Sequence, residues 1–267
     1  MFINSLKSLI YKAYLSYDRN FPIQRGKFIL SRGLTSFLGE IDIKTKEGIR
    51  LRILPSSQMD KSFLEKRNQS HERVYNEINQ LRSGDVFVDI GANIGYFSFL
   101  ASYKVGDKGM IFSFEPSRRE YTRFLIGQEL NAITNIVPLN CALSNENGMV
   151  EMEINKFHTG LNKISNSDNE NGNKSKVFAC KGEMLIHSPI IHLMKIDVEG
   201  AEFKVLLGME KLLKERRIIK LIVEISDEFL NYHGNSRSQL YLYLEKIGYK
   251  SMYNSKEGQF DEVFYLS

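Results

Sequence analysis

The sequence predicts a doubly wound α/β fold with a mostly parallel sheet, preceded by an N-terminal helix and β-hairpin extension and closed by a C-terminal antiparallel hairpin. Two observations predict this class. From residue 84 onward, short apolar segments alternate with segments of helical length, the pattern of a parallel sheet covered on both faces. A composition of 42% hydrophobic and 25% charged residues over 267 positions is that of a globular chain.

Residues 1–80 are predicted to form the extension and residues 81–267 the main domain. An amphipathic helix is predicted in residues 1–16, whose apolar residues at helical spacing are Phe2, Ile3, Leu6, Leu9, Ile10 and Ala13. Two interpretations stay open: the helix packs on its own domain, or it makes a weak contact with a membrane surface or a partner. Lys7 and Lys12 interrupt the core of an export signal, and no run approaches the ~18 apolar residues of a membrane span. We therefore expect a cytoplasmic protein.

Two further elements complete the extension. Residues 37–54 contain two alternating segments joined by Lys46-Glu47-Gly48, which predicts a β-hairpin with glycine in its turn. Residues 72–81 carry apolar side chains at helical spacing and predict a helix that stops before the main pattern begins.

The main domain alternates between the two element types. Strands are predicted at 85–90, 109–115, 135–140, 190–197 and 218–225, and helices at 94–104, 117–131, 201–216 and 238–248. Two last strands, 249–254 and 260–267, are joined by a short link and predict the antiparallel hairpin. Residues 155–176 are dense in Asn, Ser, Lys and Gly, and so they predict either a lid over a substrate or a plain surface loop.

The stretch VFVDIGANIGYFSFLA, residues 86–101, joins the first main strand to its helix through a glycine-rich turn. In open α/β sheets, ligands bind beyond the carboxyl ends of the strands, at such a turn. A dinucleotide fingerprint would need glycine at 93 and 96, where Asn93 and Tyr96 stand instead. The Lys-Ser/Thr of a phosphate-binding P-loop is also missing. The turn thus predicts close contact with a ligand, but neither of these two motifs.

Glu115 ends the second main strand and precedes Pro116. In this architecture an acid at that position accepts hydrogen bonds from both hydroxyls of a ribose. Alternatively, Glu115 only caps the following helix and complements its dipole. A ribose without a pyrophosphate points to S-adenosylmethionine.

Four segments, in order, resemble the FkbM family of S-adenosylmethionine-dependent methyltransferases: Asp89-Ile-Gly-Ala-Asn-Ile-Gly95, Phe114-Glu115-Pro116, Ala142-Leu143-Ser144 and Lys195-Ile-Asp-Val-Glu-Gly-Ala-Glu202. The resemblance implies a Rossmann-like fold, a cofactor site and methyl transfer. Glycines 91 and 95 with Asn93 would lie beside the methionine portion, Asp89 would support the turn or meet the amino group, and Glu115 would take the ribose. The turn after the third strand would flank the adenine. The implied cofactor-binding residues are Asp89, Gly91, Ala92, Asn93, Gly95, Glu115, Pro116, Cys141, Ala142 and Leu143.

Acidic residues gather where the strand at 190–197 ends. Asp197 is the first candidate for the catalytic base and Glu199 the second, because methyl transfer to a hydroxyl requires removal of its proton. Alternatively Asp197 is the N-cap of the next helix, and Glu199 and Glu202 favour its positive end. Asp197, Glu199 and Glu224 could supply oxygen ligands to a divalent metal, but no His or Cys joins them at a metal-ligand spacing. We therefore expect no metal.

The histidines and cysteines carry less information. His192 lies in an apolar strand and is predicted to be a core or near-core residue more readily than a proton shuttle. His158, His187 and His233 lie in or near loops, and His158 could touch substrate. Cys141 and Cys180 lack disulfide or metal spacing and are expected to be free thiols.

The formal charge of +4 has no long basic run behind it, and no nucleic-acid partner is expected. The resemblance to the FkbM family implies S-adenosylmethionine-dependent O-methylation of a sugar, glycan or other small acceptor, with release of S-adenosylhomocysteine. Two alternatives remain: a non-catalytic binding module on the same fold, and a nicotinamide-dependent oxidoreductase.

Overall fold

The computed structural model describes residues 6–7, 9–11, 13–14, 37–55, 57, 59–60, 71–155, 162–165, 174–255 and 258–267. In the extension, β1 (Ile41–Lys44) and β2 (Arg50–Ile53) pair as an antiparallel hairpin, which confirms the prediction. The helix α1 (Glu72–Asn79) confirms the second element. Among the described residues, no helix combines the length and the apolar composition needed to cross a membrane.

The elements that follow along the chain are, in order, β3 (Val86–Ile90), α2 (Tyr96–Val105), β4 (Met110–Phe114), α3 (Arg118–Leu130), β5 (Ile136–Leu139), β6 (Ala142–Leu143), β7 (Gly148–Glu153), β8 (Lys163–Ile164), β9 (Lys174–Cys180), β10 (Leu193–Ile196), α4 (Glu202–Leu207), α5 (Glu210–Lys214), β11 (Lys220–Ile225), α6 (Asp227–Tyr232), α7 (Arg237–Ile247), β12 (Tyr249–Ser251) and β13 (Phe260–Leu266).

The central sheet has the strand order β12-β13-β11-β10-β3-β4-β5. The pairs among β11, β10, β3, β4 and β5 are parallel, whereas β13 runs antiparallel to both β11 and β12. This confirms the mostly parallel α/β fold and its C-terminal antiparallel hairpin. The chain starts the parallel part at β3, adds β4 and β5 on one side, and then crosses to β10 on the other. Ligands bind at such a reversal, outside the carboxyl ends of the strands.

Alternate residues along the central strands enter two different cores. Phe87 and Leu193 belong to a core that also contains Phe99 of α2 and Phe124 of α3. Their neighbours Val88 and Met194 pack instead with residues of α4, α5 and α7. Side chains point alternately to opposite faces of a strand, so helices on both faces require strands that are apolar throughout.

The described part of the extension shares the first of these cores. The hairpin contributes Ile41, Ile43, Leu51 and Ile53, all almost fully buried, and Tyr11 and Tyr14 of the N-terminal segment join them. Of the apolar face predicted for that segment, the described residues Leu6 and Leu9 lie outside the core, since they are 55% and 65% exposed. The two tyrosines therefore provide the packing face, and contact with a membrane or a partner stays a prediction.

A second sheet, of order β6-β9-β7-β8, was not predicted from the sequence. The strand β8 and the first residues of β9 lie within the polar segment 155–176. One face of β7 and of β9 is largely exposed, so their sequences GMVEME and KSKVFAC lack the continuous apolar run of the central strands. The part of 155–176 that includes His158 lies outside the described residues.

The predicted helix at 201–216 is instead two helices, α4 and α5, separated at Gly208-Met209. A β-carbon at Gly208 would lie 2.0 Å from the carbonyl oxygen of Ser144, so the backbone approaches the β6 turn closely at this point. The strand predicted at 249–254 ends at Ser251. Beyond it, the carboxylate of Glu262 accepts hydrogen bonds from the N–H groups of Tyr253 and Ser255.

Candidate functional site

A cavity of about 450 Å³ opens at the carboxyl ends of β3, β4, β10 and β11. Its volume lies within the range of small-molecule sites. The glycine-rich turn, the end of β4 and the β5–β6 turn form one part of its wall, and the ends of β10, β11 and β13 form another. Asn162, Lys163 and Ile164 of the second sheet also line it, so a described portion of the predicted lid segment faces the cavity.

Of the ten residues predicted to bind the cofactor, seven line this cavity: Gly91, Asn93, Glu115, Pro116, Cys141, Ala142 and Leu143. The two predicted catalytic residues, Asp197 and Glu199, line it as well. The remaining three, Asp89, Ala92 and Gly95, are not among its lining residues. Cys141 and Cys180 are free and buried.

The turn after β3 has left-handed backbone at Gly91, Asn93 and Gly95, with φ of 79°, 51° and 88°. A β-carbon at Gly91 would lie 1.8 Å from the carbonyl oxygen of Asp197, so only glycine allows β3 and β10 to approach this closely. At Gly95 the obstacle is different, because a β-carbon there would lie 2.6 Å from the ring of Phe124. Gly91 therefore shapes the cavity wall, whereas Gly95 allows α2 and α3 to pack.

Glu115 lines the cavity and holds the turn in place. Its carboxylate accepts hydrogen bonds from the N–H of Asn93 and the N–H of Ser117, both at 2.8 Å. Burial, reinforced by the nearby charge of Glu120, raises the pKa of Glu115 to about 8. Ser117 is the N-cap residue of α3, so Glu115 contacts the helix start as the capping alternative predicts. Each carboxylate oxygen can accept a second hydrogen bond, and the ribose contact stays a prediction.

Lys195 is the centre of a buried charge network. Its Nζ lies 2.9 Å from Oδ2 of Asp197 and 3.6 Å from Oδ1 of Asp89. Only 2% of the side chain is exposed, so Lys195 is buried although it lies next to the carboxyl end of β10. Burial lowers the pKa of Lys195, but the charges of Asp197 and Asp89 outweigh that effect and raise it. The sequence signal for this role is a lysine within an otherwise apolar strand.

Asp89 lies beneath the turn, fully buried, where it accepts a 2.6 Å hydrogen bond from the hydroxyl of Ser98. This position fits the prediction that Asp89 supports the turn. Asp197 lies at the cavity surface, and its pKa is lowered: burial acts to raise it, but Lys195 and His71 outweigh burial. The N-cap of α4 is Ala201, so the alternative in which Asp197 caps that helix is wrong.

Two further carboxyl groups of the cavity, those of Glu199 and Glu224, have raised pKa values, in contrast to Asp197. Burial, together with the charges of Asp197 and Glu202, raises the pKa of Glu199 to about 9. Its backbone is left-handed, with φ of 54°, and its buried Oε2 has no hydrogen-bond partner. Burial and the same neighbouring acids also raise the pKa of Glu224 well above its usual range, although Gln259 donates to it at 2.9 Å. Glu199 is therefore protonated at neutral pH, and the raised pKa of Glu224 favours its protonated form.

Asp197, Glu199 and Glu224 each have a carboxylate oxygen within 4.8 Å of the others. An oxygen-only set of this kind suits Mg²⁺ or Ca²⁺ better than zinc. Proximity alone does not assign a metal, since protonation of Glu199 and Glu224 relieves the same repulsion. Glu202 has a structural role instead, because its Oε1 accepts hydrogen bonds from the N–H groups of Val198 and Gly200.

Two residues that were not predicted from the sequence, His71 and Asp261, also line the cavity. Nδ1 of His71 lies 3.2 Å from Oδ2 of Asp261. The imidazole also packs edge-on against Phe97, with ring centroids 5.6 Å apart. The two residues are 190 positions apart, and no local sequence pattern could connect them.

The other described histidines lie elsewhere. His192 is at the amino ends of the strands, where its Nδ1 accepts a hydrogen bond from the N–H of Val86 and its Nε2 lies 3.3 Å from Asp85. This half-buried structural position agrees with the prediction for His192. His187 is exposed. His233 is buried, and burial lowers its pKa to about 4.

Comparison with known proteins adds a family relationship. The sequence profile of a family described as "Methyltransferase FkbM domain" matches residues 89–251. A curated relative, hexuronic acid methyltransferase AglP of Haloferax volcanii, is 28% identical over 152 residues. That match covers 55% of this chain and 59% of the relative, so the chain corresponds to less than two thirds of the relative's length.

Two solved structures are similar at the level of overall architecture. An rRNA methylase from Streptococcus thermophilus has 11% sequence identity and a TM-score of 0.48, with 75% of this chain and 99% of the other covered. The protein TYW2 of M. jannaschii, in complex with AdoMet, has 14% identity and a TM-score of 0.42, with 85% and 87% covered. At these identities, both similarities concern the fold alone.

Proposed function

This chain belongs to the FkbM methyltransferase family, and from that premise we propose that it transfers a methyl group from S-adenosylmethionine to a hydroxyl oxygen of a sugar, glycan or other small acceptor. When bound, S-adenosylmethionine supplies a methyl group that is already activated on a positively charged sulfur. The protein then has to bind and align the reactants and accept a proton.

One observation carries this proposal: a single cavity joins the glycine-rich turn and Glu115 to the acidic ends of β10 and β11. The donors present fit the cofactor. Asp197 is held ionised beside Lys195, which suits a site for a cationic sulfonium and ammonium. The unpartnered buried oxygen of Glu199 is a further polar group that a ligand can satisfy.

We assign two ends to the cavity. At the first, Glu115 holds the ribose, the backbone and small side chains of Cys141, Ala142 and Leu143 flank the adenine, and the turn at Gly91 and Asn93 faces the methionine portion. Pro116 lines the cavity next to Glu115. Asp89, Ala92 and Gly95 support that turn from behind.

At the second end, Asp197 and Glu199 orient the acceptor. An ionised Asp197 accepts a hydrogen bond from an acceptor hydroxyl, and a protonated Glu199 donates one. Hydroxyl groups both donate and accept, so this pairing suits a polyhydroxylated molecule. The relative AglP is a hexuronic acid methyltransferase, which makes sugars the first acceptors to test.

The first experiment is isothermal titration of the purified protein with S-adenosylmethionine, S-adenosylhomocysteine and NADH. We expect both sulfur ligands to bind and NADH not to bind. Glu115→Ala should lose most of the affinity, whereas Glu129→Ala, which removes an exposed acid of α3, should not. NADH binding without the sulfur ligands would favour the oxidoreductase, and loss of affinity in both variants would contradict the ribose contact.

The second experiment measures transfer of a radiolabelled methyl group to methyl glucoside, glucuronic acid, N-acetylglucosamine and their nucleoside diphosphate derivatives. Asp197→Asn and Glu199→Ala should lose turnover, because each removes one of the two groups that orient the acceptor. Binding of S-adenosylhomocysteine, which carries no sulfonium charge, should persist in both variants. A wild type that binds both sulfur ligands but labels no acceptor would favour the non-catalytic binding module.

A further inference from the structure

His71 and Asp261 form a histidine–aspartate pair in the wall of the cavity, and both lie outside residues 89–251, which match the FkbM family. His71 is the residue before α1 in the extension, and Asp261 lies on the antiparallel strand β13. The segments before and after the family match thus add a titratable pair to the cavity wall, to which Met59, Gln259 and Phe260 also contribute.

The contacts of the pair fix the orientation of the imidazole. Asp261 is 3% exposed, and its backbone carbonyl accepts a 2.8 Å hydrogen bond from the guanidinium of Arg73. An ionised carboxylate can only accept hydrogen bonds, so in the contact with Oδ2 the Nδ1 of His71 is the donor. The neutral imidazole then carries its proton on Nδ1. Nε2 keeps its lone pair, and it belongs to a side chain that lines the cavity and is 25% exposed.

The carboxyl groups of the cavity are poorly suited to accept the acceptor's proton. The ion pair with Lys195 stabilises the ionised form of Asp197 and weakens it as a base. Glu199, whose pKa is raised to about 9, is protonated at neutral pH and cannot serve as a base. The pKa of Glu224 is also raised, by burial and by the charges of Asp197 and Glu199, which favours its protonated form. His71 is the described side chain of the cavity wall whose neutral form is both a base and accessible.

We propose that Nε2 of His71 is the general base of the methyl transfer and that Asp261 is its positioning residue. This inference rests on the proposed function. The acceptor's hydroxyl oxygen forms a bond to the methyl carbon, the electrons of the carbon–sulfur bond stay on the sulfur, and the hydroxyl proton passes to Nε2. The imidazolium, paired with Asp261, then releases the proton to water.

The charged groups around His71 set the pH dependence of this role. Burial lowers the pKa of His71, but Asp261 of β13 and Asp197 of β10 outweigh burial and raise it above 6.5, against the opposing charge of Lys195. Arg73 of α1 contacts the backbone of Asp261, and Glu224 of β11 lines the same cavity in its neutral form. The active form is the neutral imidazole, so turnover should rise as the pH increases through the raised pKa of His71.

The first test observes the imidazole directly, by nitrogen-15 NMR of the histidine-labelled full chain with and without S-adenosylhomocysteine. His71→Gln identifies the signal. We expect neutral His71 to carry its proton on Nδ1, and Asp261→Asn to lower its pKa. A neutral form with the proton on Nε2, or a pKa that is unchanged in Asp261→Asn, would overturn the proposal.

The second test measures methyl transfer to the sugars named above as a function of pH. His71→Gln should lower kcat by about 10²- to 10⁴-fold, the usual contribution of a general base, while its affinity for S-adenosylhomocysteine stays within about twofold of wild type. Asp261→Asn should move the rising limb of the pH profile to lower pH. His192→Gln removes the other histidine–aspartate pair and should leave both kcat and the profile unchanged.

The outcomes separate the two proposals. An active wild type with an equally active His71→Gln variant would overturn the base assignment and leave the proposed function standing. A limb that does not move in Asp261→Asn would assign the pair a structural role and overturn the inference. A wild type that binds S-adenosylhomocysteine but labels no sugar would overturn the proposed function, and the base with it.

Discussion

Two histidine–aspartate pairs lie at opposite ends of the central sheet, and their surroundings differ. At the amino ends, both ring nitrogens of His192 have partners, Val86 and Asp85, and no cavity-lining residue is involved. At the carboxyl ends, Nδ1 of His71 has Asp261 as its partner, and the His71 side chain lines the cavity. The same two residue types thus make a structural contact in one place and a candidate reactive group in the other. The difference is that both ring nitrogens of His192 have a partner, whereas His71 is paired through Nδ1.

The charges around the two ends differ in the same way. The carboxyl ends bury Lys195 with Asp89 and Asp197, whereas Asp85 and His192 are 19% and 33% exposed. Water screens the charges of the exposed pair but not those of the buried network. Substitutions at the carboxyl ends should therefore cost more than equivalent substitutions elsewhere, and four predictions test that difference.

The largest effect is expected for Lys195→Met. This change leaves the carboxylates of Asp89 and Asp197 without their buried cation, and removing one partner of a buried pair costs about 3–5 kcal/mol. Urea unfolding measures the loss. The control Lys214→Met breaks an exposed pair with Glu210 and should cost less than about 1 kcal/mol. Equal costs for the two variants would contradict the network's importance.

The second-largest effect is expected for glycine substitutions at the two ends of β3, which should differ in their effect on cofactor affinity. Gly84 and Gly91 both have positive φ, 92° and 79°, so alanine strains the backbone at either position by about 1–2 kcal/mol. Only at Gly91 would the new β-carbon collide with the carbonyl of Asp197, since nothing lies within 4 Å at Gly84.

We therefore expect Gly91→Ala to lower the affinity for S-adenosylhomocysteine at least about tenfold, because a loss of about 1.4 kcal/mol of binding free energy already corresponds to that change. Gly84→Ala should leave that affinity unchanged. Calorimetry with both variants makes the comparison, and unchanged binding in Gly91→Ala would remove this turn from the cofactor site.

A smaller effect concerns pH. The pKa of Glu199 is near 9 in the folded protein and near 4.5 when the group is solvated. Its contribution to stability is therefore fully present below pH 4.5 and is lost as the pH rises towards 9. Glu199→Gln should show a shallower fall in the free energy of unfolding between pH 6 and 9 than wild type. Glu146→Gln, at an exposed position, should keep the wild-type slope, and parallel slopes for all three proteins would contradict the raised pKa.

The smallest effect is expected from metal removal. We expect EDTA to leave methyl transfer unchanged, because protonation of Glu199 and Glu224 already relieves the repulsion with Asp197. Activity lost with EDTA and restored by Mg²⁺ would instead make these three carboxylates metal ligands. The assay on the sugar panel, before and after dialysis against the chelator, separates the two outcomes.

Much of the fold was predictable because its elements are encoded locally. The five parallel strands, the flanking helices, the β1–β2 hairpin and the C-terminal hairpin each follow from a period of apolar residues over a short segment. The second sheet was missed because β7 and β9 expose one face and carry charged residues there. At its described positions the face of the N-terminal helix was misjudged, because Tyr11 and Tyr14 enter the core whereas Leu6 and Leu9 are exposed.

The candidate site divides in a similar way. Gly91, Asn93 and Glu115 were predictable as cavity-lining residues, since they follow the ends of β3 and β4. Gly95 has a local pattern too, but the ring of Phe124 explains its glycine. His71 was missed because nothing near it in the sequence distinguishes it from a surface histidine.

By itself, the sequence determined the α/β class, the position of the ligand-binding edge and the family relationship, because periodicity, turn chemistry and motifs are properties of neighbouring residues. Only the tertiary structure decided that Lys195 is buried between two carboxylates and that His71 meets Asp261. Those contacts depend on the strand order, which brings β3 beside β10 and β13 beside β11. Packing of the whole chain sets that order, and no segment of the sequence states it alone.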